Sequence, residues 1–103
     1  MVGYELTKAA EDDLQGVAAY TLEKWGAEQV QRYAGLLEKH FAAIGQGNVT
    51  TRTFLKRRPE ILVTRCEHHY VFHLVRKKKL PLILAVFHEN MDLMVRLRAR
   101  VGS

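Results

Sequence analysis

The helical part of the fold is decided by residues 30–44, which read VQRYAGLLEKHFAAI. Apolar residues recur in this stretch at intervals of three and four, which places them on one face of an α-helix. The members of this face are Val30, Tyr33, Ala34, Leu37, Phe41 and Ile44. Because the pattern continues without a break, we predict a helix that buries this face against a core.

A second amphipathic stretch lies directly upstream, after a short strand predicted at residues 2–7. Thr7 suits its N-cap, where a hydroxyl accepts a free N–H, and Gly26 suits its end, where glycine adopts a left-handed backbone. The apolar face of this helix contains Ala10, Leu14, Val17, Ala18 and Trp25. The aromatic residues expected to pack within the helical pair are Tyr20, Trp25 and Tyr33. Residues 8–45 are therefore predicted to form an antiparallel helical hairpin.

After residue 60 the pattern changes from helical to extended, because β-branched and aromatic residues dominate. The predicted strands are 61–66, 70–75 and 80–87, and the turns between them are 67–68 and 76–79. A last helix is predicted from Glu89, with a core face of Met94, Leu97 and Val101. The order β-α-α-β-β-β-α predicts an α+β fold in a single domain, 1–103. In it, an N-terminal strand precedes an α-hairpin packed on a small antiparallel sheet, and a helix closes the chain.

Length and composition restrict the class of protein. The chain has 103 residues, of which 48% are hydrophobic, with seven Gly and two Pro. This composition excludes a disordered chain, a collagen-like chain and a multidomain enzyme. No apolar run approaches the roughly 18 residues of a membrane-spanning helix, and the first residues do not read as a signal peptide. With one cysteine, the sequence favours a cytoplasmic domain without disulfides and without a membrane partner.

Charge is distributed unevenly along the chain. Residues 1–50 hold four Lys or Arg and seven Asp or Glu, for a net charge of −3, whereas residues 51–103 hold twelve and four, for a net charge of +8. The basic clusters of the second half are Arg52 with Lys56, Arg57 and Arg58, then Lys77, Lys78 and Lys79, then Arg96, Arg98 and Arg100. Such asymmetry favours an anionic partner, either nucleic acid or an acidic protein.

Five side chains in the second half invite a metal or catalytic interpretation: Cys66, His68, His69, His73 and His88. Their spacing matches no metal-binding motif, and a cysteine among apolar strand residues is typical of a core. A ribonuclease needs a base, an acid and a cation for the phosphate, roles open to Arg65, His69, His73 and His88. We favour the interpretation in which His69 and His73 pack along a strand while His88 bonds to the backbone. Neither a metal nor a cofactor is expected, since no phosphate-binding glycine loop is found.

Three segments carry a more specific pattern. The first is Leu6-Thr7-x-x-Ala10-x-x-Asp13-Leu14-x-x-Val17-x-x-Tyr20-Thr21-x-x-x-Trp25-Gly26, and the second is Arg65-Cys66-Glu67-His68-His69-Tyr70-Val71-Phe72. The third and most specific is Phe87-His88-Glu89-x-Met91-Asp92-Leu93. In these segments the chain resembles the ParE-type toxins of the RelE/ParE superfamily and is close to their plasmid-type members. Residues 46–60 match no motif of that group.

This resemblance implies a toxin that a co-expressed antitoxin holds inactive. ParE-like members are not enzymes; they poison DNA gyrase, trap it on cleaved DNA and block replication. The implied partners are therefore DNA gyrase and a ParD-like antitoxin that is acidic and partly disordered when free. The implied biological role is growth arrest in plasmid maintenance.

Two other functions stay open from the sequence. RelE-like members of the superfamily cut mRNA in the ribosomal A site with basic residues and a further acid–base group near the C-terminal end. In this chain Arg65 and His88 are the candidates for such a reaction. Only the ParE-like His-x-x-Met-Asp pattern follows the last strand, so no catalytic residue is assigned. The third function is a nucleic-acid-binding or adaptor domain of similar fold without toxicity.

Two sets of residues are expected to contact partners. The candidates for the target are Arg65, His88, Met91, Asp92, Arg96, Arg98 and Arg100. The three arginines of the last helix are expected to project into solvent and to reach gyrase or, indirectly, its DNA. The candidates for the antitoxin are Tyr20, Leu22, Leu36, Lys77, Lys78 and Lys79. Apolar and basic residues of this kind suit an acidic, amphipathic segment that orders on binding.

Overall fold

The described part of the chain, residues 3–102 of the computed structural model, contains three helices and five strands. In chain order they are β1 (Glu5–Leu6), α1 (Lys8–Trp25), α2 (Ala27–Gln46), β2 (Arg52–Thr53), β3 (Ile61–Cys66), β4 (His69–Leu74), β5 (Leu82–His88) and α3 (Leu93–Val101). This order confirms the predicted fold and adds β2, which is too short for periodicity to reveal. Of the strand predicted at 2–7, Glu5–Leu6 is confirmed, and Val2 lies outside the described residues.

The helical hairpin forms at the residues that its sequence indicates. Thr7 Oγ1 accepts the backbone N–H of Ala10 at 3.1 Å and so caps α1. Gly26, with a φ of 91°, separates α1 from α2, and this backbone conformation disfavours a residue with a Cβ. The predicted stripe of α2 is buried through Tyr33, Leu37, Phe41 and Ile44. The predictions of the hairpin, its cap and its elbow are therefore confirmed.

The sheet has the strand order β1-β5-β4-β3-β2. Strands β3, β4 and β5 pair antiparallel, as predicted, and β2 extends the edge of β3. β1 instead pairs in parallel with β5, Glu5 with Leu82 and Leu6 with Ile83. The sequence did not predict this pairing, because β1 is short and its partner lies near the other end of the chain. The first and the last strand therefore lie side by side.

Side chains of the sheet alternate between two cores. The side that α1 and α2 cover contains Cys66, Val71, Ile83 and Val86, and we call it the hairpin face. The other side, the α3 face, contains Ile61, Val63, Phe72, Ala85 and Phe87, covered by Leu97 of α3 and by Leu55. The expected core position of Cys66 is confirmed, and burial raises the pKa of its thiol.

The last helix begins at Leu93 rather than at Glu89. A turn occupies residues 89–90, and the Asp92 carboxylate then accepts the backbone N–H of Val95 at 3.2 Å, which caps α3. The core face of α3 is formed by Leu93, Leu97 and Val101. The prediction of Met94 as a core residue was wrong, because a buried stripe with a spacing of four turns Met94 away from the sheet.

Arg100 fastens α3 to the other layers. Its guanidinium donates two hydrogen bonds to the Asp13 carboxylate of α1, at 2.9 and 3.0 Å, and another to the carbonyl of Leu84 at 2.9 Å. The guanidinium also lies over the Phe87 ring, 5.0 Å from the centroid, and hydrogen bonding to Asp13 raises the pKa of Arg100. The prediction that all three arginines of this helix project into solvent was therefore wrong for Arg100.

The segment that matches no motif covers the β3 side of the α3 face. Phe54 lies edge-on to Phe72 with ring centroids 5.3 Å apart, and Leu55 is buried in the same core. Lys56 and Arg57, which follow directly, are exposed. Two apolar side chains therefore anchor this segment and leave its cations on the outside.

Candidate functional site

A groove of about 620 Å³ opens where α1 extends beyond the sheet. α1 contacts β5 at Asp13, whose carboxylate accepts the backbone N–H of Val86 at 2.9 Å. From there α1 continues to Trp25, about 18 Å further, whereas β5 ends at His88, about 7 Å further. The residues that line this hairpin-end groove include Tyr20, Trp25, His68, His69, His88 and Met91.

A buried tyrosine–histidine pair forms the floor of the hairpin-end groove. The Tyr33 hydroxyl is hydrogen-bonded to His69 Nδ1 at 2.6 Å, accepts the backbone N–H of His68 at 3.2 Å and lies 3.4 Å from the carbonyl of Cys66. Burial, with smaller contributions from His88 and His68, lowers the pKa of His69 to about 4. His69 is therefore neutral at pH 7.

The neighbouring histidines, His88 and His73, are also part of the structure: His88 bonds to the backbone, and His73 is packed in the core. His88 Nδ1 accepts the backbone N–H of Asn90 at 3.1 Å, and its ring meets that of His69 edge-on with centroids 5.1 Å apart. His73 is buried in β4, where burial lowers its pKa. The interpretation in which His69 and His73 pack along a strand and His88 bonds to the backbone is confirmed.

Glu89 joins two charged side chains at the rim of the hairpin-end groove. Its carboxylate forms an ion pair with Arg65 and a 2.9 Å contact with His68 Nδ1, and the contact with His68 is the largest cause of the lowered pKa of Glu89. Arg65 also donates to the Tyr70 hydroxyl at 3.1 Å and to the carbonyl of Glu67 at 3.0 Å. The Arg65 guanidinium is thus occupied by three partners of this chain.

Arg65 and His88 lie on opposite faces of the sheet. Cys66, His69 and His88 form one row across β3, β4 and β5, and Cys66 belongs to the hairpin face. Arg65 precedes Cys66 and pairs with Tyr70, which packs on the α3 face. Neighbouring strand residues point to opposite faces, so the Arg65 and His88 side chains leave the sheet on opposite faces, and Arg65 reaches the rim of the hairpin-end groove only through its ion pair with Glu89.

The upper rim of the hairpin-end groove is apolar and exposed. The exposed fraction is 56% for Tyr20, 55% for Leu22 and 71% for Trp25. The prediction that Tyr20 and Trp25 pack within the hairpin was therefore wrong, whereas that for Tyr33 is confirmed. Tyr20 and Trp25 belong to the part of α1 that has no sheet beneath it, so their side chains do not pack against a core although the helical pattern predicts that they should.

The residues predicted for the antitoxin do not form one surface. Tyr20 lines the hairpin-end groove and Leu22 is exposed on the same end of α1, whereas the turn with Lys77, Lys78 and Lys79 joins β4 to β5 at the opposite end of the sheet. The length of β5, about 20 Å, separates the two groups. Leu36 packs against the core of the hairpin face and is only half exposed.

The residues predicted for the target divide by their surroundings. Asp92 and Arg100 serve the structure, as the cap and the fastening of α3, and Arg65 is held by Glu89. His88 and Met91 line the hairpin-end groove. Arg96 and Arg98 are exposed on α3.

Comparison with known proteins gives this geometry a family. A family model described as ParE toxin of type II toxin-antitoxin system, parDE, matches residues 4–93, which include the hairpin, the sheet and the hairpin-end groove. The chain belongs to the ParE toxin family. Toxin ParE of Escherichia coli is 44% identical to it over 101 residues, which are 98% of this chain and 98% of that relative.

A solved structure supports the same assignment at the level of the fold. A chain of the chromosomal ParDE TA system from P. aeruginosa matches with a TM-score of 0.71 at 15% identity, covering 85% of this chain and 96% of that chain. The resemblance inferred from the three motifs is thus confirmed. The protein is a ParE-family toxin, and its fold is that of its structural neighbour.

Two residues of this ParE-family site were not predicted from the sequence to belong to it. Glu89 stands in the third motif, yet its bonds reach residues that are more than twenty positions away. Trp25 was predicted to lie in the core. Gly26, which follows it directly, indicates instead that Trp25 is the last residue of its helix. Within residues 3–102, no three His, Cys, Asp or Glu side chains converge to hold a metal ion. In the same residues, no helix has both the length and the apolar character needed to cross a bilayer.

Proposed function

We propose that this ParE-family toxin acts in the cytoplasm as an inhibitor of DNA gyrase that performs no chemistry itself, and that a ParD-like antitoxin neutralises it. The family of type II toxins supplies the biological class. The observation that carries the choice of an inhibitor over a nuclease is the placement of Arg65 and His88 on opposite faces of the sheet. Acid–base cleavage needs both groups within hydrogen-bond reach of one substrate.

The remaining titratable groups of the hairpin-end groove also favour an inhibitor. A general base works best with a pKa near the ambient pH, and the pKa of His69 is about 4. Its Nδ1 is already bound by the Tyr33 hydroxyl at 2.6 Å. The positive charge of Arg65 is paired with the Glu89 carboxylate. These groups support the walls of a protein-binding surface better than they support a reaction.

Purified toxin is expected to inhibit supercoiling by gyrase and to increase gyrase-linked cleaved DNA, while translation in a cell-free extract continues. The Arg65→Ala/His88→Ala variant serves as the comparison. Removal of an acid and a base lowers the rate of a nuclease by at least about 100-fold, whereas an inhibitor loses only the free energy of its contacts. Cut mRNA together with unchanged supercoiling would replace gyrase poisoning by ribosome-dependent cleavage.

The hairpin-end groove is our proposed binding site for the antitoxin. Tyr20, Leu22 and Trp25 place three large apolar side chains in solvent at one end of α1. Exposed apolar patches of this kind mark interaction sites, and aromatic anchors at the centre of a patch carry much of the binding energy. The lysines of the β4–β5 turn, Lys77, Lys78 and Lys79, lie too far away to contribute to the same binding surface.

Trp25→Ala is expected to weaken antitoxin binding by at least 2 kcal/mol, or about 30-fold, mainly through faster dissociation. Because Trp25 is 71% exposed in the free toxin, the melting temperature of the toxin should stay within a few degrees. Leu80→Ala is the control, since Leu80 is exposed at the opposite end of the sheet. Dissociation rates of the two complexes test this placement. Equal losses for both variants would refute it.

A further inference from the structure

The two covers of the sheet carry opposite charge. α1 and α2 together hold six acidic and four basic residues, for a net charge of −2. On the α3 face, residues 50–60 hold four basic residues and one acidic residue, and α3 holds three basic residues and no acidic one. Charge segregation on this scale orients a protein before contact with a charged partner.

Within the described residues, most cations of the α3 face have no counter-ion. Arg58 is bound by Glu60 at 2.6 Å, and Arg100 is bound by Asp13 at 2.9 Å. Within residues 3–102, no ion pair or side-chain hydrogen bond involves the side chains of the other cations of this face, which are all exposed: Arg52, Lys56, Arg57, Arg96 and Arg98. Their charge is therefore available to a ligand.

Three of these cations lie at the β2–β3 edge of the α3 face, and a fourth approaches them from α3. Arg52 pairs with Val63, whose side chain lies on the α3 face, and directly opposite strand residues share a face. Lys56 and Arg57 follow the anchor Leu55 on the same face. These three cations thus lie together at the β2–β3 edge.

The fourth cation, Arg98, approaches them from α3. Arg100 marks the flank of α3 that faces α1, because its guanidinium reaches Asp13. At about 100° per residue, Arg98 leaves α3 on the flank opposite Arg100, and Arg96 leaves on the same flank as Arg100. Arg98 therefore projects toward β4 and β3, where Lys56 and Arg57 lie.

We propose that Arg52, Lys56, Arg57 and Arg98, here called the cationic strip, bind the phosphate backbone of duplex DNA. The strip crosses the sheet from β2 to β5, about 14 Å, which spans several phosphates of one strand. Phosphate contacts need cations and no apolar core. A protein partner would instead use exposed aromatic or aliphatic anchors at the centre of the patch. No large apolar residue is exposed between residues 50 and 60, which supply three of the four cations, and on α3 the exposed apolar residues are Met94 and Val95.

The acidic outer surface of α1 and α2 adds direction to this contact. It repels the same polyanion that the strip attracts, so the α3 face meets the DNA while the hairpin-end groove points elsewhere. The inference does not depend on the gyrase proposal, because it concerns binding to DNA alone.

The test is the salt dependence of binding between the purified toxin and a fluorescent 30-base-pair duplex, measured by anisotropy. The variant Lys56→Gln/Arg57→Gln/Arg98→Gln removes three charges from the strip. The matched control Lys77→Gln/Lys78→Gln/Lys79→Gln removes three exposed charges from the β4–β5 turn. The strip variant should reduce the slope of log affinity against log salt by about 2.7, and affinity in 0.1 M salt by about 100-fold. The control should stay within about threefold of the wild type.

Three results would overturn the inference. They are no binding of the wild type in 0.05 M salt, an equal loss in the control, or stronger binding to single-stranded RNA of the same length. Melting temperatures of all three proteins establish that they are folded. A supercoiling assay on the same samples separates the two proposals: a toxin that inhibits gyrase without binding duplex DNA refutes only the strip. One that binds DNA through the strip without inhibiting gyrase refutes only the gyrase proposal.

Discussion

Arg100→Ala is expected to lower the free energy of unfolding by about 3 kcal/mol and the melting temperature by roughly 10–20 °C. The substitution leaves the Asp13 carboxylate, which is mostly buried, without its charged partner. It also removes the donor to the Leu84 carbonyl and the cation over the Phe87 ring. An unpaired charge away from water costs more than the lost contact itself. Chemical denaturation of the purified toxin measures the change.

Arg98→Ala is the matched control for this prediction, because it removes the same side chain from an exposed position of the same helix. It should change the free energy of unfolding by less than about 0.5 kcal/mol. The double variant Asp13→Ala/Arg100→Ala should lose less free energy of unfolding than the two single variants lose together, because each single variant leaves one charged side chain without its partner. Similar values for Arg98→Ala and Arg100→Ala would show that α3 is not fastened through Asp13.

Mild acid is expected to destabilise the toxin through its buried histidines. The pKa of His69 falls from its ordinary value near 6.5 to about 4 on folding, so between these values the unfolded chain binds more protons than the folded one. Stability is therefore complete above pH 7 and decreases as the pH falls toward 4. His69 alone should account for a loss of about 2 kcal/mol between pH 7.5 and pH 5.

Two further histidines add to this loss with the same sign. Burial lowers the pKa of His40 and of His73, and His40 is already bonded to the Thr64 hydroxyl at 2.5 Å. His69→Asn should flatten the pH dependence by about 2 kcal/mol, because the amide oxygen can still accept from Tyr33 but does not titrate. The exposed His68→Asn serves as its control. A pH profile that His69→Asn leaves unchanged would contradict the assignment.

The helices and strands of the fold were predictable where the apolar residues of a single helix or strand recur with a clear period. The stripe from Tyr33 to Ile44 identifies a buried face through Tyr33, Leu37, Phe41 and Ile44, which pack in the core of the hairpin face, whereas Ala34, predicted on the same stripe, is exposed. The same reasoning failed for Trp25, since a periodic pattern does not show where the supporting sheet ends. Periodicity also failed for Met94. Both Leu93 and Met94 are spaced to share a helix face with Leu97 and Val101, and only the packing of α3 against β5 decides which of the two is buried.

The candidate site was less predictable than the fold, because its contacts join distant parts of the chain. Arg100 reads as a solvated cation in its local sequence, and only the approach of α1 supplies Asp13. The opposite orientation of Arg65 and His88 depends on strand register, which the motifs do not contain. By contrast, the structural roles of His69 and His73 follow from their place in an apolar strand, and that prediction held.

The pairing of β1 with β5 has a consequence for the moment at which the protein becomes harmful. A polypeptide on the ribosome emerges from its N-terminus, so β1 and α1 appear early but wait for β5 and α3, which supply their partners Ile83 and Arg100. The hairpin-end groove needs His88 and Met91, and the cationic strip needs Arg98. Neither of the two proposed surfaces can form before the residues up to Arg98 have left the ribosome, so a shorter nascent chain offers neither the proposed antitoxin site nor the proposed DNA site.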